Sequence, residues 1–414
     1  MNTDEGSGVS TITGFSLSNP SLFADPYPVY AAFRRQEPIH ASPMYGGSRV
    51  FFSYSDVEAL LTDDRLTNSR ADIPLKALPA DQRAQFADMV PALSEWVAFF
   101  DGDAHMMRRR HMNHVLRVFT EELLTPLIER SVEHLLRDWG KEADLIADVS
   151  RPLPAMAITE LLGAPMGDHP QLAAWSDHIA YLFGASDLTA EDVRRGRDAV
   201  SAFIDYLHGT VSTAVRSGTP SLLAQLVTEE TDGLHFDLDS ACAQGLLLMF
   251  AGLEPVRHLI GNAFSALHPH PAQSRSLRAG LSVLPHAVEE FLRFDTPVQF
   301  IGRTAARAFT YRGHRIAAGQ VVLLHVGSAN RDPDAFSNPE RLDLERVPHR
   351  HLSFGRGPHA YIGALLVRLQ TTTTALRQLL TRFPDLRVSD DRSPVWNNNL
   401  GFHGFSSLPV RTHP

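Results

Sequence analysis

Two short segments of this sequence carry side chains whose types and spacing suit cofactor or proton chemistry. The first, FGRGPHAYIG at 354–363, is a glycine-rich segment that carries the ionisable side chains His359 and Tyr361. A phenol with an ordinary pKa of about 10 ionises at a metal only with strong help from the cation. Tyr361 is therefore a candidate acid and a candidate ligand, and its environment must decide between the two roles.

The second segment, AGLEP at 251–255, lies within a long apolar helical pattern at 241–268. Glu254 and His258 are ionisable side chains on this pattern, and both are candidate general acids. Pro255 stands between them. Proline lacks a backbone N–H, and its ring clashes with the carbonyl four residues earlier, which costs about 3 kcal/mol in a regular helix. We therefore expect the helix to kink at Pro255.

Helical periodicity surrounds both segments. Apolar residues recur every three or four positions in four long stretches, at 104–119, 121–139, 153–164 and 241–268. The last stretch is the longest and the most apolar, so we expect it to cross the core.

Strand patterns are short and come late in the chain. Residues 309–327 predict a β-hairpin that turns at Arg312 and Gly313, and residues 395–413 predict terminal strands. The sequence therefore predicts a mainly α fold with a small β lobe. It also predicts a disordered polar tail over 1–14 and a single domain over 15–414.

Composition excludes several classes of function. The chain has 414 residues, a net charge of -9 and an isoelectric point near 6.1, which provides no basic surface for nucleic acid. No stretch approaches the roughly 18 to 20 apolar residues of a membrane span, and the N-terminus lacks the apolar core of a signal peptide. We therefore expect a cytoplasmic protein whose partners include neither a membrane nor a nucleic acid.

The counts of cysteine and lysine limit the cross-links that the chain can form and indicate the kind of genome that encodes it. Cys242 is the one cysteine, so the chain forms no internal disulfide and no cysteine-based zinc cage. Of the 38 basic residues, only Lys76 and Lys141 are lysines. This bias indicates GC-rich coding of the kind found in actinomycete bacteria.

A pair of charged residues becomes informative together with the segments on its C-terminal side. Glu290 and Arg293 stand at i and i+3 on a predicted helix, where their side chains can pair, although such pairs are common on solvated helix faces. After them come RTAARAFTYRGHRIAAGQVV, ANRDPDAFSNP, DLER with Arg346, and HLSFGRGPHAYIG. This succession resembles the cytochrome P450 family of the soluble bacterial type. The resemblance runs from 19–34 to the C-terminus.

The resemblance implies the P450 fold and a buried ionic network. In the family, a glutamate, a helix arginine and a later arginine form a network that supports the cofactor pocket. The matching positions are Glu290, Arg293 and Arg346. Their implied role is structural.

The resemblance also implies contacts to haem. A His-x-x-x-Arg pair on an early helix, a strand arginine and the histidine of the ligand loop hold the haem propionates in the family. The matching residues are His105, Arg109, Arg303 and His359. Cationic side chains opposite carboxylates suit such a pocket, so these four residues are cofactor-binding if haem is retained.

The sequence departs from the family pattern at two positions. The family loop Phe-Gly-x-Gly-x-His-x-Cys-x-Gly is matched except that Tyr361 replaces the cysteine. A thiolate supplies the electron density that favours O–O cleavage, so ordinary monooxygenase activity is not expected. Pro255 stands where the family has the threonine that directs protons to bound dioxygen. Cys242 lies about three helical turns before Pro255 and cannot replace the missing ligand.

Tyrosinate does ligate haem iron in catalases, so Tyr361 is a metal ligand if haem is bound in that way. However, a phenol oxygen stands much farther from its backbone than a cysteine sulfur does. The ring would therefore occupy space that belongs to the porphyrin. We expect either that the loop retreats from the porphyrin, or that the haem is displaced or absent.

Three functions remain open from the sequence. The first is an auxiliary protein that binds and activates a deoxysugar glycosyltransferase in an antibiotic pathway, by resemblance to a branch of P450-like proteins that lack the cysteine. The second is an unconventional haem oxidoreductase, with Tyr361 or water on iron, that acts on a small apolar substrate. The third is a haem-free enzyme that uses the apolar pocket for acid–base or cyclisation chemistry on a natural product. Its candidate acids are Tyr361, Glu254 and His258.

Overall fold

The computed structural model describes residues 21–118, 121–185, 188–219, 221–347, 350–364, 366 and 374–413. The predicted tail at 1–14 lies outside these residues.

Helices form most of the described chain. They are α1 (Ser21–Ala24), α2 (Tyr27–Gln36), α3 (Tyr54–Leu60), α4 (Ile73–Lys76), α5 (Ala80–Arg83), α6 (Val90–Ser94), α7 (Gly102–Leu116), α8 (Glu121–Leu136), α9 (Pro152–Leu162), α10 (His169–Gly184), α11 (Ala190–Ser217), α12 (Leu222–Thr228), α13 (Leu238–Leu267), α14 (Pro271–Ala279), α15 (Leu284–Phe294), α16 (Val326–Ala329) and α17 (Arg377–Arg382). Within the described ranges, no helix is long and apolar enough to cross a membrane.

The strands are short and form small sheets. They are β1 (Ile39–Ser42), β2 (Ser48–Phe51), β3 (Leu66–Thr67), β4 (Glu142–Asp144), β5 (Ile301–Ala305), β6 (Phe309–Tyr311), β7 (His314–Ile316), β8 (Val321–Leu324), β9 (Arg387–Val388), β10 (Val395–Trp396), β11 (Phe405–Ser407) and β12 (Pro409–Arg411). The largest sheet has the order β1-β2-β8-β5-β3, with β2 and β8 parallel and its other pairs antiparallel. A second sheet has the order β4-β12-β9. The predicted mainly α fold with a small β lobe is confirmed.

Helix α13 is the long central element that the apolar pattern predicts. Asp237 caps its N-terminus by accepting a 2.7 Å hydrogen bond from the backbone N–H of Ser240. The helix contributes to two hydrophobic clusters, one that includes residues up to Leu253 and one that begins at Val256. Pro255 therefore lies where the two clusters meet. The helix continues through Pro255 without interruption, and the kink at this residue stays a prediction.

The hairpin turn follows from local backbone chemistry. β6 and β7 pair antiparallel, and Arg312 and Gly313 between them both have positive φ, at 45° and 81°. A two-residue loop of type I′ has positive φ at both positions, and its twist matches the right-handed twist of the strands. The predicted turn lies at these two residues.

Candidate functional site

A buried ionic network lies next to the site and fixes the chain that leads into it. Glu290 accepts hydrogen bonds from Nε and Nη2 of Arg293, both at 2.8 Å, and from Nε of Arg346 at 3.1 Å. The guanidinium of Arg293 also donates to the carbonyls of Asn330, Pro339 and Arg341. The structure thus brings together the three residues that the sequence grouped, and it ties α15 to the loop that follows α16.

The loop at 354–363 is shaped by its own backbone hydrogen bonds. Gly355 and Gly357 have positive φ, at 66° and 72°, a conformation in which a Cβ is strained. The N–H of Tyr361 donates to the carbonyl of Phe354 at 2.8 Å, which closes the loop. The rings of Phe354 and Tyr361 stack, with centroids 6.1 Å apart. The side chain of Tyr361 is therefore held against its own loop.

A largely apolar cavity of about 390 Å³ lies between this loop and α13. Helix α13 contributes Phe250, Ala251 and Pro255 to its wall, and the loop contributes Tyr361 and Ile362. The two departures from the family pattern, at 255 and 361, consequently face the same space.

Tyr361 contacts the helix directly. Its hydroxyl donates a hydrogen bond of 2.9 Å to the backbone carbonyl of Ala251, 110 residues earlier in the chain. Burial raises the pKa of the Tyr361 phenol, so the protonated donor form is favoured. This hydrogen bond joins opposite walls of the cavity.

A group of arginine and histidine side chains lies at one edge of the cavity. Arg109, Arg303 and His359 line the cavity, and the ring of His105 stacks on that of His359 with centroids 3.8 Å apart. Nη2 of Arg109 donates to the carbonyl of Ala360 at 2.5 Å. The structure thus brings the four predicted cofactor contacts together.

Arg70 belongs to the same group, although no sequence motif had assigned it a role. It lines the cavity, packs over the ring of Phe99 at 4.6 Å and repels Arg303 electrostatically. Arg70 follows strand β3, and it comes close to Arg303 on β5 only because β3 pairs with β5. No local spacing could have revealed it.

Burial and mutual repulsion shift the pKa values of this group downward. Burial lowers the pKa of Arg70 to about 9 and that of Arg303 to about 10, so both remain cationic near neutral pH. Burial, with the charges of His105 and Arg303, lowers the pKa of His359 to about 3. The carboxylate of Asp101 lies 3.8 Å from Nε2 of His359 and partly offsets the positive charge of the arginines. It also accepts a hydrogen bond from the side-chain amide of Asn68. The edge of the cavity is therefore cationic and suited to an anion.

Glu254 and His258 do not line this cavity. Glu254 lies 3.1 Å from Nη2 of Arg257 and 3.4 Å from Nε2 of His258; Glu254 and His258 are buried, and Arg257 is partly buried. Arg257 continues the group to Asp177 at 2.6 Å. Burial lowers the pKa of His258. Of the three candidate acids, only Tyr361 faces the cavity.

Some residues of the site fit a bound haem and others do not. The cationic edge suits two propionates, since Arg303 is 4% exposed and makes only one hydrogen bond, to the carbonyl of Gly302, within the described chain. The hydrogen bond from Tyr361 to Ala251 does not suit a porphyrin, because in the family the cofactor lies between the ligand loop and the central helix. A phenol that reaches from one wall to the other occupies this interval. The site as folded here does not fit haem.

Comparison with known proteins gives the context of this site. The family model described as Cytochrome P450 matches residues 177–410. The chain is 32% identical over 400 residues to "Polyketide biosynthesis cytochrome P450 PksS" of Bacillus subtilis, an alignment that covers 93% of this chain and 95% of that protein. It is also 32% identical over 401 residues to "Cytochrome P450 monooxygenase PikC" of Streptomyces venezuelae, with 94% and 91% covered.

Solved structures have the same fold. The Bacillus subtilis PksS structure superposes with a TM-score of 0.85 at 30% identity and covers 97% of this chain and 100% of that one. The structure of P450BioI in complex with an acyl carrier protein that carries hexadec-9Z-enoic acid gives a TM-score of 0.86 at 27% identity, with 94% and 99% covered.

Proposed function

Because this chain belongs to the cytochrome P450 family, we propose for it a role in bacterial natural-product metabolism that does not use monooxygenation at a thiolate-ligated haem. The observation that carries this proposal is the hydrogen bond from Tyr361 to Ala251. Without the thiolate, the ligand that favours O–O cleavage is missing. The proton-delivering hydroxyl is missing at Pro255 as well.

The specific role that we propose is that of an auxiliary protein which binds and activates a deoxysugar glycosyltransferase. The name of one relative supports a polyketide setting, since PksS is described as a polyketide biosynthesis protein. An auxiliary protein needs the fold and a contact surface, and it does not need a catalytic cofactor.

An exposed apolar surface supports a protein partner. Four of the eight large apolar side chains exposed in the described chain lie within 18 residues: Met106, Met107, Val118 and Leu123. Met106 is 50% exposed and Met107 is 45% exposed, and both lie on α7. Methionine adapts to different partner shapes, and exposed apolar groups near one another are typical of protein contact sites. We assign partner binding to this surface.

The test combines a spectrum with a transferase assay. The purified chain is expected to show no Soret band, and it is expected to raise the rate of a deoxysugar glycosyltransferase from the same gene cluster. The double variant Met106→Asp, Met107→Asp should lose this stimulation while it keeps its circular dichroism spectrum. The matched control is Val395→Asp, which changes an equally exposed apolar residue on β10. A transferase rate that is the same with and without the chain contradicts the auxiliary role.

The cavity favours a second candidate, a haem-free enzyme or binding protein for an amphipathic natural product. Apolar walls suit a hydrocarbon body, and Arg70 and Arg303 at the edge suit a carboxylate. Tyr361 would be its acid, because it is the candidate acid that faces the cavity. Hexadec-9Z-enoic acid and the matching alcohol are suitable test ligands. The acid should bind more tightly than the alcohol, and Arg303→Gln should remove the difference; equal affinities for both ligands contradict this candidate.

The unconventional haem protein is tested in the same preparation. It requires a Soret band after haemin is added, and it requires that Arg303→Gln weakens haemin binding. A chain that stays colourless with haemin rules this function out.

A further inference from the structure

The carbonyl of Ala251 is the starting point of an inference that links the two departures from the family pattern. In an α-helix this carbonyl accepts a hydrogen bond from the N–H four residues later, at position 255. Proline has no N–H, so Pro255 leaves the carbonyl of Ala251 without its helical donor. An unpaired polar group that faces an apolar space costs free energy.

The missing donor comes from the loop. The hydroxyl of Tyr361 lies 2.9 Å from the oxygen of Ala251 and donates to it. Water is a poor substitute, because a bound water needs two to four polar partners and the walls here are mostly apolar. The tyrosine thus supplies the hydrogen bond that the proline removes.

The loop is arranged to allow this contact. A Cβ built on Gly363 would lie 2.5 Å from the oxygen and 2.6 Å from Cζ of Tyr361. Only glycine leaves room at position 363 for the ring in this orientation. The stacking on Phe354 supports the other side of the ring.

We propose that Pro255 and Tyr361 are a compensating pair that fastens the loop at 354–363 to helix α13 and closes the interval that holds the cofactor in related proteins. The two substitutions are then parts of one structural change. Each removes a requirement of oxygen chemistry, and together they leave the carbonyl of Ala251 hydrogen-bonded. This inference explains why the helix continues through Pro255. The compensating pair does not depend on a glycosyltransferase, so a chain that fails to activate a transferase does not contradict it.

A double-mutant cycle tests the pair. Tyr361→Phe keeps the ring and removes the donor, so it should lower the folding equilibrium constant about tenfold when residue 255 is proline. Pro255→Ala restores the N–H, and in that background Tyr361→Phe should change the constant less than twofold. If Tyr361→Phe has equal effects in both backgrounds, the proposal of a compensating pair is overturned, because the hydroxyl then does not compensate for the proline.

Haemin titration tests the closure separately. The natural chain should show no saturable Soret band, whereas Tyr361→Cys, which removes the ring and its hydrogen bond, should gain one. Tyr361→Ser is the matched control, because it opens the same space without a thiolate, and it should take up haemin with a different spectrum. One-to-one haemin binding by the natural chain, or no uptake by either variant, overturns the closure.

Discussion

Loss of Glu290 is expected to be the most costly single change in the ionic network. This carboxylate is 4% exposed and accepts hydrogen bonds from Arg293, Arg346 and the backbone N–H of Asp343. Removing one partner of a buried ion pair costs about 3 to 5 kcal/mol. Arg293 keeps three carbonyl acceptors after the loss, so its charge is not wholly unpaired. We therefore expect Glu290→Ala to lower the free energy of unfolding by about 3 kcal/mol, the lower end of that range.

The other members of the network provide graded comparisons. Arg346→Ala leaves Glu290 paired with Arg293, and the other hydrogen bonds that it removes are exposed ones to backbone carbonyls, so we expect a loss of about 1.5 kcal/mol, mainly from the bond to the carboxylate. Glu289→Ala is the matched control. Its side chain is 29% exposed and lies 2.9 Å from His351, so its removal should cost less than removal of the buried Glu290 carboxylate.

Urea unfolding at pH 7 measures these differences. Circular dichroism and tryptophan fluorescence should give coincident transitions, which is the condition for comparing free energies in a chain of this size. The order of loss should be Glu290→Ala, then Arg346→Ala, then Glu289→Ala. The reasoning is refuted if Glu290→Ala costs no more than Glu289→Ala.

Two further predictions concern the loop. Burial and neighbouring charge lower the pKa of His359 to about 3, whereas a histidine in the unfolded chain has a pKa of about 6.5. Between these two pH values the unfolded chain binds more protons than the folded one. The free energy of unfolding should therefore fall as the pH drops from 6.5 toward 3. In urea titrations at several pH values, His359→Gln should flatten this dependence; an unchanged slope contradicts the assignment. Gly363→Ala should displace the Tyr361 ring and destabilise the natural chain, but it should be tolerated beside Tyr361→Ala, as thermal unfolding can show; equal destabilisation in both backgrounds would exclude a clash with the ring.

Much of the fold follows from local patterns. The apolar period at 241–268 predicted the central helix, which extends over Leu238–Leu267, and the Arg312-Gly313 pair predicted the hairpin turn. Glu290 and Arg293 pair because residues three apart lie on one helix face. These features depend on the geometry of a few neighbouring residues, which a sequence contains in full.

The helix face of Glu254 and His258 was not determined by the sequence. Both residues stand within three positions of Pro255, and all three lie in a pattern whose positions from 241 to 267 are buried or partly buried. Periodicity distinguishes a buried face from an exposed one, and it cannot distinguish two buried faces. Only the packing of α13 shows that Pro255 faces the cavity and that Glu254 turns toward Arg257.

The sequence by itself determined that the ligand cysteine and the helix threonine are replaced, at Tyr361 and Pro255. Tertiary structure alone decided that Tyr361 donates to the carbonyl of Ala251, which Pro255 leaves without its helical donor. This contact joins a side chain to a backbone carbonyl 110 residues away, and it depends on how far α13 stands from the loop. The physical reason is that a hydrogen bond requires about 3 Å between donor and acceptor, a distance set by packing and not by spacing along the chain.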